Sequence, residues 1–347
     1  MGGPSSEHEV SLATGENVLK NLDSRLFESI KIKILRDGKV WMSGRYAKLE
    51  KAVKSLDLCF LATHGEFGED GRLQAVLESY GVPYTGSGVL ASALAMNKAK
   101  SRQLFFANGL KTPKTLFIKE GENFQSQLKF FVSKLIKFPL VVKPCSRGSS
   151  VGVSIVKSKR ALKKAIHHAF KYDPEVLIEE YIEGREFTCG VIEKKVNGSP
   201  HIIALPVTEI IPNQGLDFFN YEAKYQKGAS PHTHTSEGFK TGPQSGNRSM
   251  SVGASQEITP AQLSEHLAKE VKELAAKAHR ILGCKDYSSS DFLVKNGKIY
   301  ILELDTLPGL TENSLIPKAL KTAGWSIRKF LNNICFRNVK KQEIQTA

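Results

Sequence analysis

Residues 291–305 read DFLVKNGKIYILELD, and the pairing of this stretch with itself decides the fold. Apolar and polar residues alternate on both sides of Asn296-Gly297, a strong short-range signal for a β-hairpin. Asp291 lies before the turn, while Glu303 and Asp305 lie after it, two apart and therefore on one face of their strand. Register decides whether the three meet. A two-residue Asn296-Gly297 turn pairs Lys295 with Lys298 and Asp291 with Leu302, which sends Asp291 to the opposite face. A three-residue loop, Lys295-Asn296-Gly297 with Gly297 in the left-handed bulge position, pairs Asp291 with Ile301 and gathers all three carboxylates on one side. This second register is the one expected. Clustered carboxylates repel one another unless a hard cation lies between them, and Mg²⁺ held by carboxylates and substrate phosphates meets that need. Taken alone, the hairpin reads equally well as carrying three solvated surface acids.

Upstream, FPLVVKP (138–144) reads as a strand with Lys143 at its end, CSRGSSVG (145–152) as a loop, and VSIV (153–156) as a second strand. An ammonium beside the free N–H groups of a Gly/Ser loop suits phosphates. This strand-loop-strand differs from a phosphate loop that opens a helix, and no GxxxxGK[ST] occurs in the chain. A helix that carries Lys98 is expected over 91–108, and DPEVLIEEYIEGREFTCGVIE (173–193) supplies two more strands around Glu183-Gly184. Lys98, Lys143, Glu179 and Glu186 would each pass alone for an ordinary solvent-facing charge. Nearer the start, SLDLCFLATHG (55–65) reads as a buried strand and EDGRLQAVLESYG (69–81) as an amphipathic helix, with Leu73, Val76, Leu77 and Tyr80 on one stripe. Strand-loop-helix units of this kind predict an α/β first domain with a parallel sheet. Residues 226–259 are dominated by Ser, Gly, Thr, His and Gln and predict a long mobile loop, and a helical pattern returns over 260–282.

The 347 residues allow two or three domains, and 41% hydrophobic with 24% charged residues excludes a disordered chain. No apolar run approaches the ~20 residues of a membrane span and no secretory signal opens the chain, so a soluble, cytoplasmic protein is expected. Five scattered cysteines with no CxxC pair argue against structural disulfides and cysteine-bound zinc. The net charge of +14, from 49 Lys and Arg against 35 Asp and Glu, could draw polyanions. No aromatic-interleaved nucleic-acid motif accompanies it, so neither nucleic acid nor membrane is expected as a partner.

In order along the chain, GGPSSEHEVSL (2–12), THGEFGEDGRLQAVLESYGVPYTGSGVLASALAMNK (63–98), FPLVVKPCSRGSSVGVSIV (138–156), VLIEEYIEGREFT (176–188), FNYEAKY (219–225) and LELDTLPGLTENSLIP (302–317) resemble the D-alanine:D-alanine ligases of the ATP-grasp superfamily. The resemblance implies an α/β chain, α+β in its C-terminal part. A Rossmann-like N-terminal domain (1–90) would precede an ATP-grasp fold with a central subdomain (91–182) and a C-terminal catalytic domain (183–347). It implies ATP as co-substrate, with Lys98, Lys143 and Ser150 on its phosphates. Glu179 and the backbone of Glu180 and Ile182 would face adenine, and Glu186 the ribose. Asp291, Glu303 and Asp305 would hold two Mg²⁺ (or Mn²⁺) ions. Glu7 would take the ammonium of the first D-alanine and join Ser149 and Tyr225 in a hydrogen-bonded set, with His64 near that substrate. Lys224, Ser314 and Leu315 would hold the second D-alanine, and the Gly309 N–H would face the developing oxyanion. The implied activity is ligation through an acylphosphate to D-alanyl-D-alanine for peptidoglycan, by a homodimer. An ATP-grasp ligase with another acceptor and a degenerate nucleotide-binding paralogue are the alternatives; the Lys224-Tyr225 pair argues against D-lactate as acceptor.

The chain departs from this pattern in four places. Ser289 stands where the family has an arginine that steadies the acylphosphate and tetrahedral intermediate, and Asp305 where it has an asparagine. Both changes make the pocket more negative, so slow turnover is expected. The segment after Tyr225 is about twenty residues longer than its family counterpart. It carries His232, His234, Lys240 and Arg248, of which Lys240 or Arg248 could stand in for the missing guanidinium. Finally, the family has an apolar strand ahead of the glycine pair Gly2-Gly3, so the first sheet is expected to lack its first strand.

Overall fold

The computed structural model describes residues 1–148, 151–196, 199–212 and 256–339. Ser149, Ser150, Lys224 and Tyr225, together with His232, His234, Lys240 and Arg248, lie outside these residues.

Strands β1 (Ile32–Ile34), β2 (Val40–Met42) and β3 (Arg45–Ala47) form an antiparallel meander beside helices α1 (His8–Asn21), α2 (Leu49–Val53) and α3 (Arg72–Ser79). The parallel sheet expected here is not found among the described residues. Parallel pairing is limited to the bridges Gly2–Ile34 and Cys59–Tyr84. The backbone shows why the second bridge goes no further. Cys59 N–H donates to the Pro83 carbonyl at 2.8 Å and Thr85 N–H to the Cys59 carbonyl at 3.0 Å. The next donor, Leu61 N–H, is taken by the Thr85 hydroxyl at 3.0 Å, so a side chain ends the ladder. The first bridge needs glycine: Gly2 has φ +83°, and a Cβ there would lie 2.3 Å from the Ile34 carbonyl oxygen.

The expected helix over 91–108 is two helices, α4 (Val89–Met96) and α5 (Lys98–Ala107). Asn97 between them is extended, and its side chain caps α5 by accepting from Lys100 N–H. The central sheet has the order β4-β7-β5-β6, from Thr115–Lys119, Glu175–Glu180, Leu140–Pro144 and Ser154–Val156, and is covered by α6 (Gln125–Phe130) and α7 (Lys159–Ala169). Alternation along β5 sends Leu140 and Val142 into that core and leaves Val141 and Lys143 on the other face.

The two strands expected around Glu183-Gly184 do not pair with each other. β7 stays in the central sheet, while β8 (Arg185–Val196) is the heart of a six-stranded antiparallel sheet with β9 (Ser199–Ala204), β10 (Thr208–Ile211), β11 (Gln256–Ile258), β12 (Tyr287–Lys295) and β13 (Lys298–Asp305). Strand β11 occupies residues assigned from the sequence to the end of the long loop. Helix α8 (Glu265–Leu282), capped by Ser264 and stopped by left-handed Gly283, packs on this sheet together with α4 and α5. Helices α9 (Leu315–Thr322) and α10 (Ile327–Asn338) bury Ile316, Leu320, Phe330 and Ile334 in one core with Val18, Leu61 and Leu77 of the first segment.

The hairpin corrects the expected register. Asn296 (φ +50°) and Gly297 (φ +70°) make the two-residue turn, and Lys295 faces Lys298. Asp291 nevertheless pairs with Glu303, and Ser289 with Asp305, because the ladder shifts between Asp291 and Phe292. Leu302 is the extra residue of a bulge that restores the phase, so the carboxylates share a face for a different reason from the one expected. The freed carbonyl of Leu302 is not left bare: Arg102 donates to it from Nε at 3.1 Å and Nη2 at 3.0 Å.

Candidate active site

Between the central and six-stranded sheets lies a cavity of about 380 Å³. Strand alternation lines it. Lys143 comes from β5 and Glu179 from β7, with Val141 paired to Glu179 across the ladder. Asp291 from β12 and Glu303 from β13 face them, and Lys98 enters from the start of α5. Glu180, Ile182 and Glu186 line the same space along the crossing from β7 to β8. The nucleotide-side residues expected from the sequence, Ser150 apart, are therefore brought together.

Charges in the cavity are paired. Lys98 Nζ lies 3.1 Å from Glu303 Oε2 and donates to the Arg147 carbonyl at 2.7 Å. Burial works against its ammonium, but Glu303 and Asp305 outweigh burial and raise its pKa above the usual lysine value. Lys143 Nζ lies 3.1 Å from Glu179 Oε2, and Arg102 is ion-paired with the other oxygen of that carboxylate. Here burial, reinforced by the Arg102 charge, wins, and Lys143 falls below the usual lysine value.

Asp305 lines a second, smaller pocket of about 20 Å³ with Glu303, Lys98, Glu69 and Gly148. Glu303 thus borders both spaces. Among the described residues no three metal-ligating side chains already converge on one point. The donor set still fits a hard cation, because Asp291 and Glu303 are carboxylates paired directly opposite each other, and a hard cation can take its remaining ligands from phosphate and water.

Beyond the small pocket lies a cluster from the first segment. The buried Glu7 carboxylate packs against Gly65 and Gly148, so the Gly/Ser loop meets Glu7 immediately before Ser149. His64 shares hydrogen bonds with Thr14 Oγ1 at 2.8 Å and Glu69 Oε1 at 3.2 Å. Burial opposes the imidazolium, but Glu69 and Glu7 prevail and raise the His64 pKa; burial raises that of Glu69. Both groups therefore hold protons in the folded chain at pH values where the unfolded chain has released them. The stability contributed by His64 is complete below its unfolded value of about 6.5 and is lost as pH rises through the raised folded value. Urea unfolding is expected to show stability declining from about pH 6.5 upward, with a shallower decline in His64→Gln.

Gly309 and Ser314 sit on the 307–314 loop, which the first segment holds through Asn17 Nδ2 donating to the Leu310 carbonyl at 2.6 Å. The Ser314 hydroxyl lies where a Gly309 side chain would be and bonds Thr311 Oγ1 at 2.7 Å instead of capping α9. Ser314 and Leu315 therefore stand at the N-terminus of α9, whose dipole favours an anion.

Arg102 is a site residue that the sequence reading missed. It is 2% exposed and ties Glu179 to the Leu302 bulge. Its spacing with Ala99 and Phe105, three apart on the buried stripe of α5, was the available signal. Two others gave none: Arg147, ion-paired with Glu66 across the two loops, and Thr188, opposite Asp291.

A family model described as D-ala D-ala ligase C-terminus matches residues 104–241 and 247–335, and one described as D-ala D-ala ligase N-terminus matches 43–87. The chain is 38% identical over 333 residues to the D-alanine--D-alanine ligase of Syntrophobacter fumaroxidans, covering 96% of this chain and 94% of that one. It is 40% identical over 325 residues to that of Citrifermentans bemidjiense, covering 93% and 90%. Among solved structures it is similar to the Bacillus anthracis D-alanine--D-alanine ligase complexed with ATP (TM-score 0.71, 31% identity, 97% of this chain and 94% of that one). It is also similar to the VanG D-Ala:D-Ser ligase of Enterococcus faecalis (TM-score 0.76, 27% identity, 97% of each chain). No helix among the described residues is long and apolar enough to cross a membrane.

Proposed function

This chain belongs to the D-alanine--D-alanine ligase family, and we propose that it joins two D-alanines at the expense of ATP, supplying D-alanyl-D-alanine for peptidoglycan in the cytoplasm. The observation that carries the reading is the cavity in which Lys98 and Lys143 stand opposite Asp291 and Glu303. Phosphoryl transfer asks chiefly for positioning and charge neutralisation, which such a cavity offers. In the proposed reaction the carboxylate of the first D-alanine attacks the γ-phosphorus and ADP departs. The amine of the second then attacks the acylphosphate carbon, phosphate leaves, and the amine gives up a proton.

Each residue has a part in this scheme. Lys98, Lys143 and Ser150 bind the phosphates, Glu179, Glu180 and Ile182 face the base, and Glu186 faces the ribose. Asp291, Glu303 and Asp305 would hold two Mg²⁺ or Mn²⁺ ions, which supply Lewis-acid neutralisation of the transferred charge. Glu7, with Ser149 and Tyr225, orients the first substrate near His64. Lys224, Ser314 and Leu315 receive the carboxylate of the second, and the Gly309 N–H faces the oxyanion. We divide the chain at about 90 and 182 into substrate, central and catalytic domains, and propose a homodimer.

The deciding assay is phosphate release from ATP with and without D-alanine. D-alanine-dependent release with dipeptide formed is the expected result, and its absence overturns the reading. Ser289 favours one rival, a paralogue that binds nucleotide without turnover, which calorimetric ATP binding without release would select. Release with D-serine but not D-alanine as acceptor would select a ligase of different specificity.

Lys143 adds a binding signature. A triphosphate beside it should return its lowered pKa toward the ordinary value of about 10.4, so ATP binding takes up a proton in the pH range between the lowered and the restored value. Calorimetry at about pH 9 in two buffers of unlike protonation enthalpy reads the uptake. Lys143→Arg, whose guanidinium stays charged, should bind ATP without it.

A further inference from the structure

Ser289 stands in the row of side chains that carries Asp291, directly across from Asp305. Its hydroxyl lies 2.9 Å from the Thr188 hydroxyl, and Thr188 Oγ1 lies 2.7 Å from Asp291 Oδ1. A hydroxyl has one proton to give. The short contact to the carboxylate takes the Thr188 proton, and the Ser290 carbonyl, at 3.4 Å, is the poorer acceptor. Ser289 must then be the donor to Thr188. The result is an ordered series, Ser289 O–H to Thr188 O–H to Asp291 Oδ1, across the two middle strands of the six-stranded sheet. Thr188 is 3% and Ser289 9% exposed, so water does not compete freely for either hydroxyl. Backbone pairing of Thr188 with Asp291 and of Gly190 with Ser289 fixes the spacing.

We propose that Ser289 and Thr188 are positioning residues for metal binding, a neutral hydroxyl relay that holds the Asp291 carboxylate in its ligating orientation. With Oδ1 fixed, rotation of the carboxylate about its Cβ–Cγ bond is arrested, and the order a cation would otherwise impose on binding is already present. Partners of this kind outside the ligand set typically change metal affinity by about 10- to 100-fold. The proposal rests on the functional reading above, and it gives the residue at 289 a role other than the cationic one implied by the family pattern.

The test is Mn²⁺ titrated into the protein with a non-hydrolysable ATP analogue, free Mn²⁺ being read from its electron paramagnetic resonance signal. Ser289→Ala and Thr188→Val should each raise the apparent Kd about tenfold. Thr188→Ser, which keeps the hydroxyl, should stay within about twofold of the parent. Because the groups act in series, the Ser289→Ala/Thr188→Val double variant should be no weaker than Thr188→Val. A Kd unchanged in Ser289→Ala, or single effects that multiply in the double variant, overturns the relay. Should Thr188→Val fail to fold by near-ultraviolet circular dichroism, Ser289→Ala and Thr188→Ser decide the matter. The titration needs no turnover: a parent that binds Mn²⁺ with the analogue yet releases no D-alanine-dependent phosphate loses the ligase reading while the relay is still judged. A parent that binds no Mn²⁺ loses both.

Discussion

Glu303→Gln is expected to fold like the parent and to lose about 10²- to 10³-fold in D-alanine-dependent phosphate release, or about 3–4 kcal/mol of transition-state stabilisation. Three effects combine at this carboxylate. It faces Asp291 across the bulge, so the amide removes one of the two opposed oxygen ligands of the proposed metal site. It is the 3.1 Å partner of Lys98, and without it burial lowers the pKa of that ammonium. It also borders both the larger cavity and the smaller pocket containing Asp305, so the lost charge is felt in both. Gln preserves the shape, and a thermal melt separates lost chemistry from lost fold. A Glu303→Gln protein retaining more than about a tenth of parental turnover would remove this carboxylate from the mechanism.

Ser289→Arg is the opposite case, a substitution expected to speed the reaction about 10²-fold at saturating metal and substrate. Residue 289 pairs with Asp305, so a guanidinium there gains a carboxylate partner across the ladder while its remaining N–H groups face the space where negative charge develops. An arginine also has donors enough to keep Thr188 supplied, so metal affinity should fall less than in Ser289→Ala. Saturating metal separates the two effects, and the melting temperature records any crowding at this buried position. A variant no faster than the parent would show that the missing cation is not what limits turnover.

Much of the site was legible because its chemistry lies in contiguous motifs. Lys143 ends an alternating strand, the Gly/Ser loop follows it, and Glu303 and Asp305 stand two apart. Period-two alternation puts Glu303 and Asp305 on one face of their strand whatever the tertiary structure; the cavity contains Lys143 and Glu303, while Asp305 lines the smaller pocket beside it. Errors arose where tertiary contacts override local rules. The hairpin takes the turn that places Asp291 wrongly, and a bulge at Leu302 corrects it; the bulge is held by Arg102, two hundred residues away in sequence, which no local rule reports. The parallel sheet of the first segment fails at Thr85, whose hydroxyl captures a ladder donor. The helix over 91–108 is broken at Asn97, a residue that caps better than it propagates. Hydroxyl relays such as Ser289-Thr188 are invisible in sequence because their members are common residues on different strands.

The core that joins Val18, Leu61 and Leu77 to Ile316, Phe330 and Ile334 has a consequence for biogenesis. On the ribosome, the opening segment emerges well before the helices that bury its apolar side, so it cannot complete a stable core of its own during synthesis. Nascent chains arrested ahead of residue 315 should remain sensitive to protease and engage chaperones, with resistance gained only once α9 and α10 have cleared the exit tunnel.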